Sequence, residues 1–376
     1  MRKNFLFILL FSFSSIFSFT QEKSTAKLQI SQISEQKNTT ETNEISPEQQ
    51  EKKQTQKEIK EFIDHHLLDA HSFNITETSG GHHIGFSLPV IFYDKENGFH
   101  AFMSSKFENG EKIVEKDGNY YKLFQEKIFK TDEKGTIILN EKGHPENEKV
   151  IDFSITKGVF SMLFVSFLML LFFAGMAKKY KKNPLPSGVG RFLEPIIVFV
   201  RDDIAIPNIG YKYKRYLGYL LTIFFFILFL NILGLIPFGI NVTGNITFTF
   251  FLALCTYLIV QFSGNKDYWK HIFWMPGVPV PMKIIMLPIE ILGTLTKPFA
   301  LMIRLFANMT AGHIVVMSLI GLIFVYKNWI GGVSFSLLTL MIYVLEVLVA
   351  FLQAYIFTLL SALFIGMAVQ EHEHSH

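Results

Sequence analysis

Charged and polar side chains interrupt one long apolar stretch of this sequence, which runs from Pro288 to Val316. The most polar of them are Glu290, Lys297, Arg304, Asn308 and His313. A charged side chain at bilayer depth costs roughly 2.5 kcal/mol on insertion scales, so such residues usually face protein or a water path and mark a substrate or ion route. A guanidinium stays protonated at any accessible pH. Arg304 can therefore hold an electric field or repel a cation, but it is a poor proton carrier.

A helical arrangement separates these polar residues onto two faces. At about 100° per residue, His313 lies about 180° from Arg304. The stripe within about 40° of Arg304 contains Glu290, Lys297 and Asn308. In a later apolar segment, Glu346 and Gln353 are seven positions apart and share a face.

Folding the two apolar segments antiparallel about Trp329 brings polar residues to matching depths. Arg304 lies 25 residues before Trp329 and Gln353 lies 24 after it. His313 lies 16 residues before the same point and Glu346 lies 17 after it. A histidine and a carboxylate at one depth can exchange protons because both have tunable pKa values. A structural buried ion pair is the alternative, and the nearby charge of Arg304 favours a proton path.

Composition indicates a membrane protein with a soluble part attached. The 376 residues are 49% hydrophobic and include 40 Phe. A net charge of +3 is too small to suggest nucleic-acid binding. The single cysteine, Cys255, excludes an internal disulfide and a multi-cysteine metal site. No nucleotide-binding loop of the GxxxxGK[ST] type is present, and we expect no cofactor, metal or directly bound nucleotide.

The N-terminal part divides into three segments. Residues 1–20 have the basic start and apolar core of a signal peptide, with an uncleaved anchor as the alternative. Residues 21–60 are so polar that they cannot bury enough apolar surface to offset the entropy lost on ordering. They are therefore predicted to be a disordered linker. Residues 61–150 are predicted to form a small extracytoplasmic domain with some β-structure, with strand-like runs at Ile84–Tyr93 and Thr136–Leu139.

A group of histidines in and near this domain could bind zinc or copper. Its members are His65, His66, His71, His82 and His83. Their spacing matches no familiar ligand pattern, which favours solvated surface histidines.

Residues 151–376 are predicted to be a membrane domain. The first span, 155–176, is followed by Lys178 and Lys179, which places that end in the cytoplasm and the N-terminal domain outside. Residues 184–207 are predicted to be an interfacial helix. Further spans are predicted at 216–236 and 246–263, and each holds a polar residue, Asn231 in the first and Gln261 in the second. Asn231 could have a functional role, or it could form a hydrogen bond that holds two helices together.

The last two apolar segments are too long for ordinary spans. Residues 284–326 would form a helix of about 64 Å, twice the roughly 30 Å hydrocarbon core. Two spans or one steeply inclined helix, bent at Pro298, could explain this length. A turn at 327–332 then leads to a second long helix at 334–369, which ends in the cytoplasm.

Four segments carry a family resemblance: VRDDIA (200–205), NILGLIP (231–237), IRLFANMTAGH (303–313) and QAYIFTLLSALFIGMA (353–368). Together they closely resemble subunit a of the bacterial F-type ATP synthase membrane sector. The resemblance implies an all-α polytopic membrane protein with about five membrane-embedded helices and an interfacial helix. Its last two helices are expected to be long and steeply tilted against a rotating ring of c subunits.

The resemblance also assigns roles to residues. Arg304 matches the essential arginine that faces the ring carboxylate, and Gln353 matches the glutamine that supports it. His313 and Glu346 match the polar pair of the periplasmic half-channel. The other matching positions are Glu290 near the cytoplasmic half-channel, Asn308 beside the arginine, and Asn231 and Gln261.

The expected function is that of a proton-translocating stator subunit, a non-catalytic channel subunit in the bacterial inner membrane. The implied partners are the c-ring, the b subunits of the peripheral stalk, the rest of the ATP synthase and membrane lipid. A secondary transporter and a membrane-anchored sensor are the rival classes. A secondary transporter is expected to contain paired repeats, and the sequence shows none. A membrane-anchored sensor would leave the charged Arg304 unexplained.

Overall fold

The computed structural model describes residues 69–77, 83–110, 112–140, 145–181, 185, 188–236, 241–275, 279–325 and 329–370. The predicted signal peptide and linker lie outside the described residues, as do His65, His66 and His82. The predictions for those segments therefore stay predictions.

The N-terminal domain consists of short antiparallel strands. These are β1 (Ser72–Glu77), β2 (His83–Ser87), β3 (Pro89–Asp94), β4 (Gly98–Met103), β5 (Val114–Lys116), β6 (Asn119–Phe124), β7 (Lys127–Thr131) and β8 (Ile151–Asp152). They form a β1–β2 hairpin and two three-stranded sheets, ordered β4–β3–β8 and β5–β6–β7. Alternate residues of β3 are buried, including Val90 and Phe92, and they pack with Tyr121 and Ile128 in a small apolar core.

The two strand-like runs of the sequence have different outcomes. The run Ile84–Tyr93 covers most of β2 and β3, which are separate strands because Pro89, having no N–H, begins the second one. The prediction of a strand at Thr136–Leu139 is wrong, since only Leu139 makes an isolated bridge. The side chain of Asn147 takes the place of a partner strand there. It accepts a hydrogen bond from the Ile138 N–H at 2.7 Å and donates one to the Thr136 carbonyl at 3.1 Å.

A capped helix start joins this domain to the first long helix, α1 (Lys157–Tyr180). The Asp69 carboxylate accepts hydrogen bonds from the Thr156 hydroxyl and the Gly158 N–H, both at 2.8 Å. Thr156 in turn caps the helix through the Val159 N–H. A carboxylate at a helix N-terminus is favoured by the helix dipole. The domain is thus tied to the helix within one turn of its start.

The remaining chain is helical. Its helices are α2 (Val189–Phe199), α3 (Ile206–Ile209), α4 (Tyr213–Leu235), α5 (Ile246–Ser263), α6 (Lys266–Phe273), α7 (Val280–Val325) and α8 (Trp329–Val369), with a π-helical segment (Val200–Ala205) between α2 and α3. In the described part of the chain, five helical stretches are long and apolar enough to cross a membrane. This confirms the all-α polytopic class. The predicted interfacial helix corresponds to α2, the π-helical segment and α3, and its position in the bilayer stays a prediction.

The last two helices, α7 and α8, pack against the preceding helices. α7 is one helix of 46 residues, about 69 Å long, with Pro288 and Pro298 inside it, so the alternative of two spans in this run is wrong. α8 begins at Trp329, earlier than predicted, because residues 329–332 continue its first turn instead of forming a loop. α8 packs on α4 and α7, and α5 packs on α7. At the other end of α8, Gly366 lies so close to the Asn208 carbonyl that no side chain fits there.

Candidate functional site

A narrow cleft between α4, α7 and α8 contains the histidine and the glutamate that the sequence places at one depth. It is lined by Gly234, Leu235, Ile236, His313, Val316, Met317, Tyr343 and Glu346. The volume open to the centre of a water molecule is about 20 Å³. One water needs about 10–15 Å³ by this measure, so the cleft has room for water.

Two polar atoms in this cleft lack protein partners. His313 Nε2 and Glu346 Oε1 are both buried, and neither has a hydrogen-bond partner among the residues that the structure describes. Leaving such an atom without any partner costs about 1–3 kcal/mol. Water is the partner that a polar cleft of this size supplies. The arrangement can therefore hold a hydrated histidine–carboxylate pair between the helices.

Gly312 on α7 faces the Glu346 side chain of α8. A Cβ atom on residue 312 would lie 2.6 Å from Glu346 Oε1, closer than van der Waals contact allows. The carboxylate of α8 therefore occupies the space that a side chain on α7 would fill. The sequence pattern did not single out Gly312, although a glycine next to His313 in a long helix was a usable signal.

Arg304 lies on a different face of α7. It is exposed, next to Ile303, which is 54% exposed. It forms no ion pair or side-chain hydrogen bond with any residue in the described part of the chain. An exposed guanidinium among exposed apolar residues of a membrane helix is costly unless another component faces it.

The predicted pairing of Gln353 with Arg304 is not the one that the structure makes. Gln353 on α8 is 2% exposed, and its side-chain oxygen accepts a 2.9 Å hydrogen bond from the Asn308 amide. Counting residues from the loop between the two helices gives the depth of a side chain in the membrane only to within about one turn of helix. Asn308 lies one turn beyond Arg304 on the same stripe, and its short amide satisfies the buried oxygen of Gln353.

Two further polar residues that the sequence singled out, Glu290 and Lys297, lie toward the N-terminal end of α7, away from His313. Glu290 is 3.7 Å from Nδ1 of His271 on α6, a residue that the sequence pattern did not single out. Lys297 lies over the Phe364 ring at 5.3 Å. A second cavity of about 10 Å³ is lined by Lys297 and Gln261, with Thr256, Tyr257 and Thr294 among its other polar residues.

Asn231 is fully buried on α4 and joins it to α8. Its amide donates a 3.2 Å hydrogen bond to the Ala350 carbonyl, while its Oδ1 has no partner among the described residues. This contact fits the alternative role of a bond between helices.

His71 in the N-terminal domain is buried, which corrects the prediction that it is a solvated surface histidine. Its Nε2 lies 2.9 Å from Asp152 and its Nδ1 lies 3.4 Å from Glu126. Burial alone would lower the pKa of His71, but the two carboxylates raise it to about 9. Within the described ranges, no three histidine, cysteine or carboxylate side chains are grouped so that they could hold a metal ion. His71 is therefore one side of a buried ion pair.

Long apolar helices around a polar cleft that has room for water define a polytopic membrane protein. Residues 159–366, more than half of the chain, match the family model of the ATP synthase A chain, and the chain belongs to this family. Subunit a is the proton-translocating stator subunit of the F-type ATP synthase. The chain is thus a multi-pass membrane component of that complex.

Several bacterial relatives support this assignment. The chain is 48% identical to ATP synthase subunit a of Chloroherpeton thalassium over 231 residues, 59% of this chain and 69% of the relative. It is 49% identical to ATP synthase subunit a 2 of Chlorobaculum tepidum over 235 residues, 60% of this chain and 66% of the relative. Residues 62–153 match a separate family model, described as a domain of unknown function (DUF8433), and this range contains β1 to β8.

Proposed function

We propose that this chain supplies two proton half-channels to a ring of c subunits and keeps them apart with Arg304. Protons enter by His313 and Glu346 from the side of the N-terminal domain, load a carboxylate on the ring, and leave past Glu290. The chain lies in the bacterial inner membrane with the N-terminal domain outside and the C-terminus in the cytoplasm. The c-ring and the b subunits of the peripheral stalk are its direct partners.

The observation that carries the proposal is the pair of unpartnered atoms in a cleft that has room for water. His313 Nε2 and Glu346 Oε1 both need water, and a histidine and a carboxylate that share water can pass a proton between them. A purely structural ion pair would bring the two side chains into direct contact, and they form no direct hydrogen bond or ion pair. Their arrangement is better suited to proton transfer than to stability.

Arg304 and the polar groups at the far end of α7 complete the path. The exposed guanidinium of Arg304 needs a negative partner that the described residues do not supply, and a carboxylate on the ring meets that need. A fixed positive charge there keeps the carboxylate deprotonated as it passes and repels protons that would cross directly. Glu290 and His271, both partly exposed, offer protons a route to water. Gln261 and Lys297 line the cavity between this end and Arg304.

The entry route can be tested by passive proton flux through the membrane sector after the catalytic sector is removed. Glu346→Gln keeps the shape of the side chain but cannot release a proton, so we expect flux to fall at least tenfold. Asp203→Asn, at an exposed carboxylate of the π-helical segment, is the matched control and should leave flux unchanged. Unchanged flux in Glu346→Gln would remove Glu346 from the proton path and leave it a structural residue.

A further inference from the structure

The sheet formed by β4, β3 and β8 has one buried face and one open face. Val90, Phe92 and His100 point into the domain and are at most 3% exposed. The opposite face consists of Pro89, Ile91, Tyr93, Phe99, Ala101, Met103, Ile151 and Phe153, and we call it the open face. None of these side chains carries a charge.

The open face is well exposed. Phe99 is 73% exposed, Phe153 59%, Ile151 48% and Met103 47%. The Phe99 ring packs against Tyr93 at 5.0 Å and Phe153 at 6.3 Å between ring centroids, so the side chains form one continuous surface. A contiguous apolar surface of this kind marks a contact with protein or membrane, since soluble surfaces rarely expose one.

The chain leads from the open face directly into the first membrane helix. The Phe153 and Ile155 N–H groups donate hydrogen bonds to the Ile91 and Pro89 carbonyls, at 2.8 and 3.1 Å. The segment therefore runs alongside β3 until α1 begins at Lys157. Outward side chains at alternate positions continue from Ile151 to the start of α1.

A second aromatic contact joins the domain to the exposed side of α1. Phe86 on β2 stacks on Phe73 at 4.6 Å and meets the edge of Phe160 at 5.6 Å. Phe160 stacks in turn on Phe164, one turn deeper along the helix, at 6.4 Å. Phe86, Phe160 and Phe164 are 45%, 36% and 47% exposed. The exposed ring of Phe86 is thus continuous with the exposed apolar surface of α1, on the same helix that the segment from Ile151 to Ile155 leads into.

From this continuity we propose that the open face rests on the bilayer, with its aromatic and aliphatic side chains in the leaflet at the N-terminal end of α1. Aromatic rings are favoured at this depth of a membrane. A protein partner is less suited to the surface, since a protein interface carries about one hydrogen bond per 100–200 Å² and the outward side chains offer almost no polar groups. The N-terminal domain would then lie on the membrane surface beside the entry side of the proposed proton path.

Site-directed fluorescence in the intact complex tests this proposal. Cys255 is the only cysteine of the sequence, so a Cys255→Ser background allows a single label at Phe99→Cys or Phe153→Cys. Ile138→Cys is the matched control, because Ile138 is 55% exposed on the same domain but lies outside this sheet. The complex is reconstituted in phosphatidylcholine vesicles, and quenching by lipid-attached nitroxides is compared with quenching by iodide in the water.

We expect the labels at 99 and 153 to be quenched several-fold more strongly by the nitroxide lipids than the label at 138, and to be shielded from iodide. Efficient iodide quenching at 99 and 153 would overturn the proposal. Labels shielded from both quenchers in the complex, but open to iodide when the chain alone is reconstituted, would show that a protein partner covers the face, which also overturns it.

Discussion

Gly312 on α7 and Glu346 on α8 approach each other so closely that a methyl group on residue 312 would lie 2.6 Å from the Glu346 carboxylate. The space between two membrane helices is therefore given to a carboxylate and not to a side chain of the facing helix. His313 follows Gly312 directly and lines the same cleft. The position of the proposed proton-accepting group thus depends on a residue that has no side chain.

Gly312→Ala should slow passive proton flux roughly tenfold without preventing assembly. The atom that the new methyl group would meet is a carboxylate oxygen at the end of the flexible Glu346 side chain, so the carboxylate must move from its position in the cleft. A tenfold fall in flux corresponds to about 1.36 kcal/mol in the barrier to proton transfer. The measurement is proton flux through the membrane sector in vesicles. Gly293→Ala on the same helix is the control, since a Cβ at Gly293 meets no atom within 4 Å. Equal flux in the two variants would show that the close contact between Gly312 and Glu346 does not affect proton transfer.

The amide pair of Asn308 and Gln353 should behave as a coupled unit. Asn308→Leu leaves the buried oxygen of Gln353 without a partner, which costs about 1–3 kcal/mol. Gln353→Leu removes that oxygen, so the double variant should be more stable than the sum of the two single effects predicts. Thermal unfolding of the purified membrane sector measures this coupling. Strictly additive losses would mean that the hydrogen bond contributes nothing to stability.

The N-terminal domain should lose stability as the pH rises from about 6.5 to above 9. His71 has a pKa of about 9 in the folded chain, above its ordinary value of 6.5. Its pairing with Asp152 and Glu126 therefore stabilises the fold fully below about pH 6.5, and this contribution, roughly 3 kcal/mol, is lost as the pH passes 9. Hydrogen exchange of β1 and β8 peptides in the full chain, corrected for intrinsic rates, follows the change. His71→Gln is the control and should flatten the pH dependence; the same dependence in both chains would assign it to other groups.

The long elements were predictable from sequence because a bilayer imposes a simple rule. An apolar run of sufficient length must be helical, since lipid offers its backbone no hydrogen bonds. Residues 246–263 were predicted as a span and form α5 with the same bounds. The charged and polar residues of α7 could be recognised as candidate functional residues for a related reason. Placing a charged group in lipid costs free energy, so such a residue in a membrane helix indicates a function.

Contacts between elements were less predictable. Helical periodicity gives the face of a residue but not the depth of its partner to better than a turn, so Asn308 and not Arg304 meets Gln353. The pairing of Glu290 with His271 depends on how α6 folds back, which no local pattern encodes. His71 looked like one of several surface histidines because its carboxylate partners, Glu126 and Asp152, are 55 and 81 residues away.

Arg304→Ala tests the central claim, that one fixed charge separates two proton routes. ATP-driven proton pumping is measured in inverted membrane vesicles with a pH-sensitive dye, and assembly is checked by co-purification of the c-ring and the peripheral stalk. Arg191→Ala, which removes an exposed arginine of α2, is the matched control. We predict that Arg304→Ala abolishes pumping and ATP synthesis in a fully assembled complex, while Arg191→Ala retains both. Pumping at the wild-type level in Arg304→Ala would contradict the mechanism.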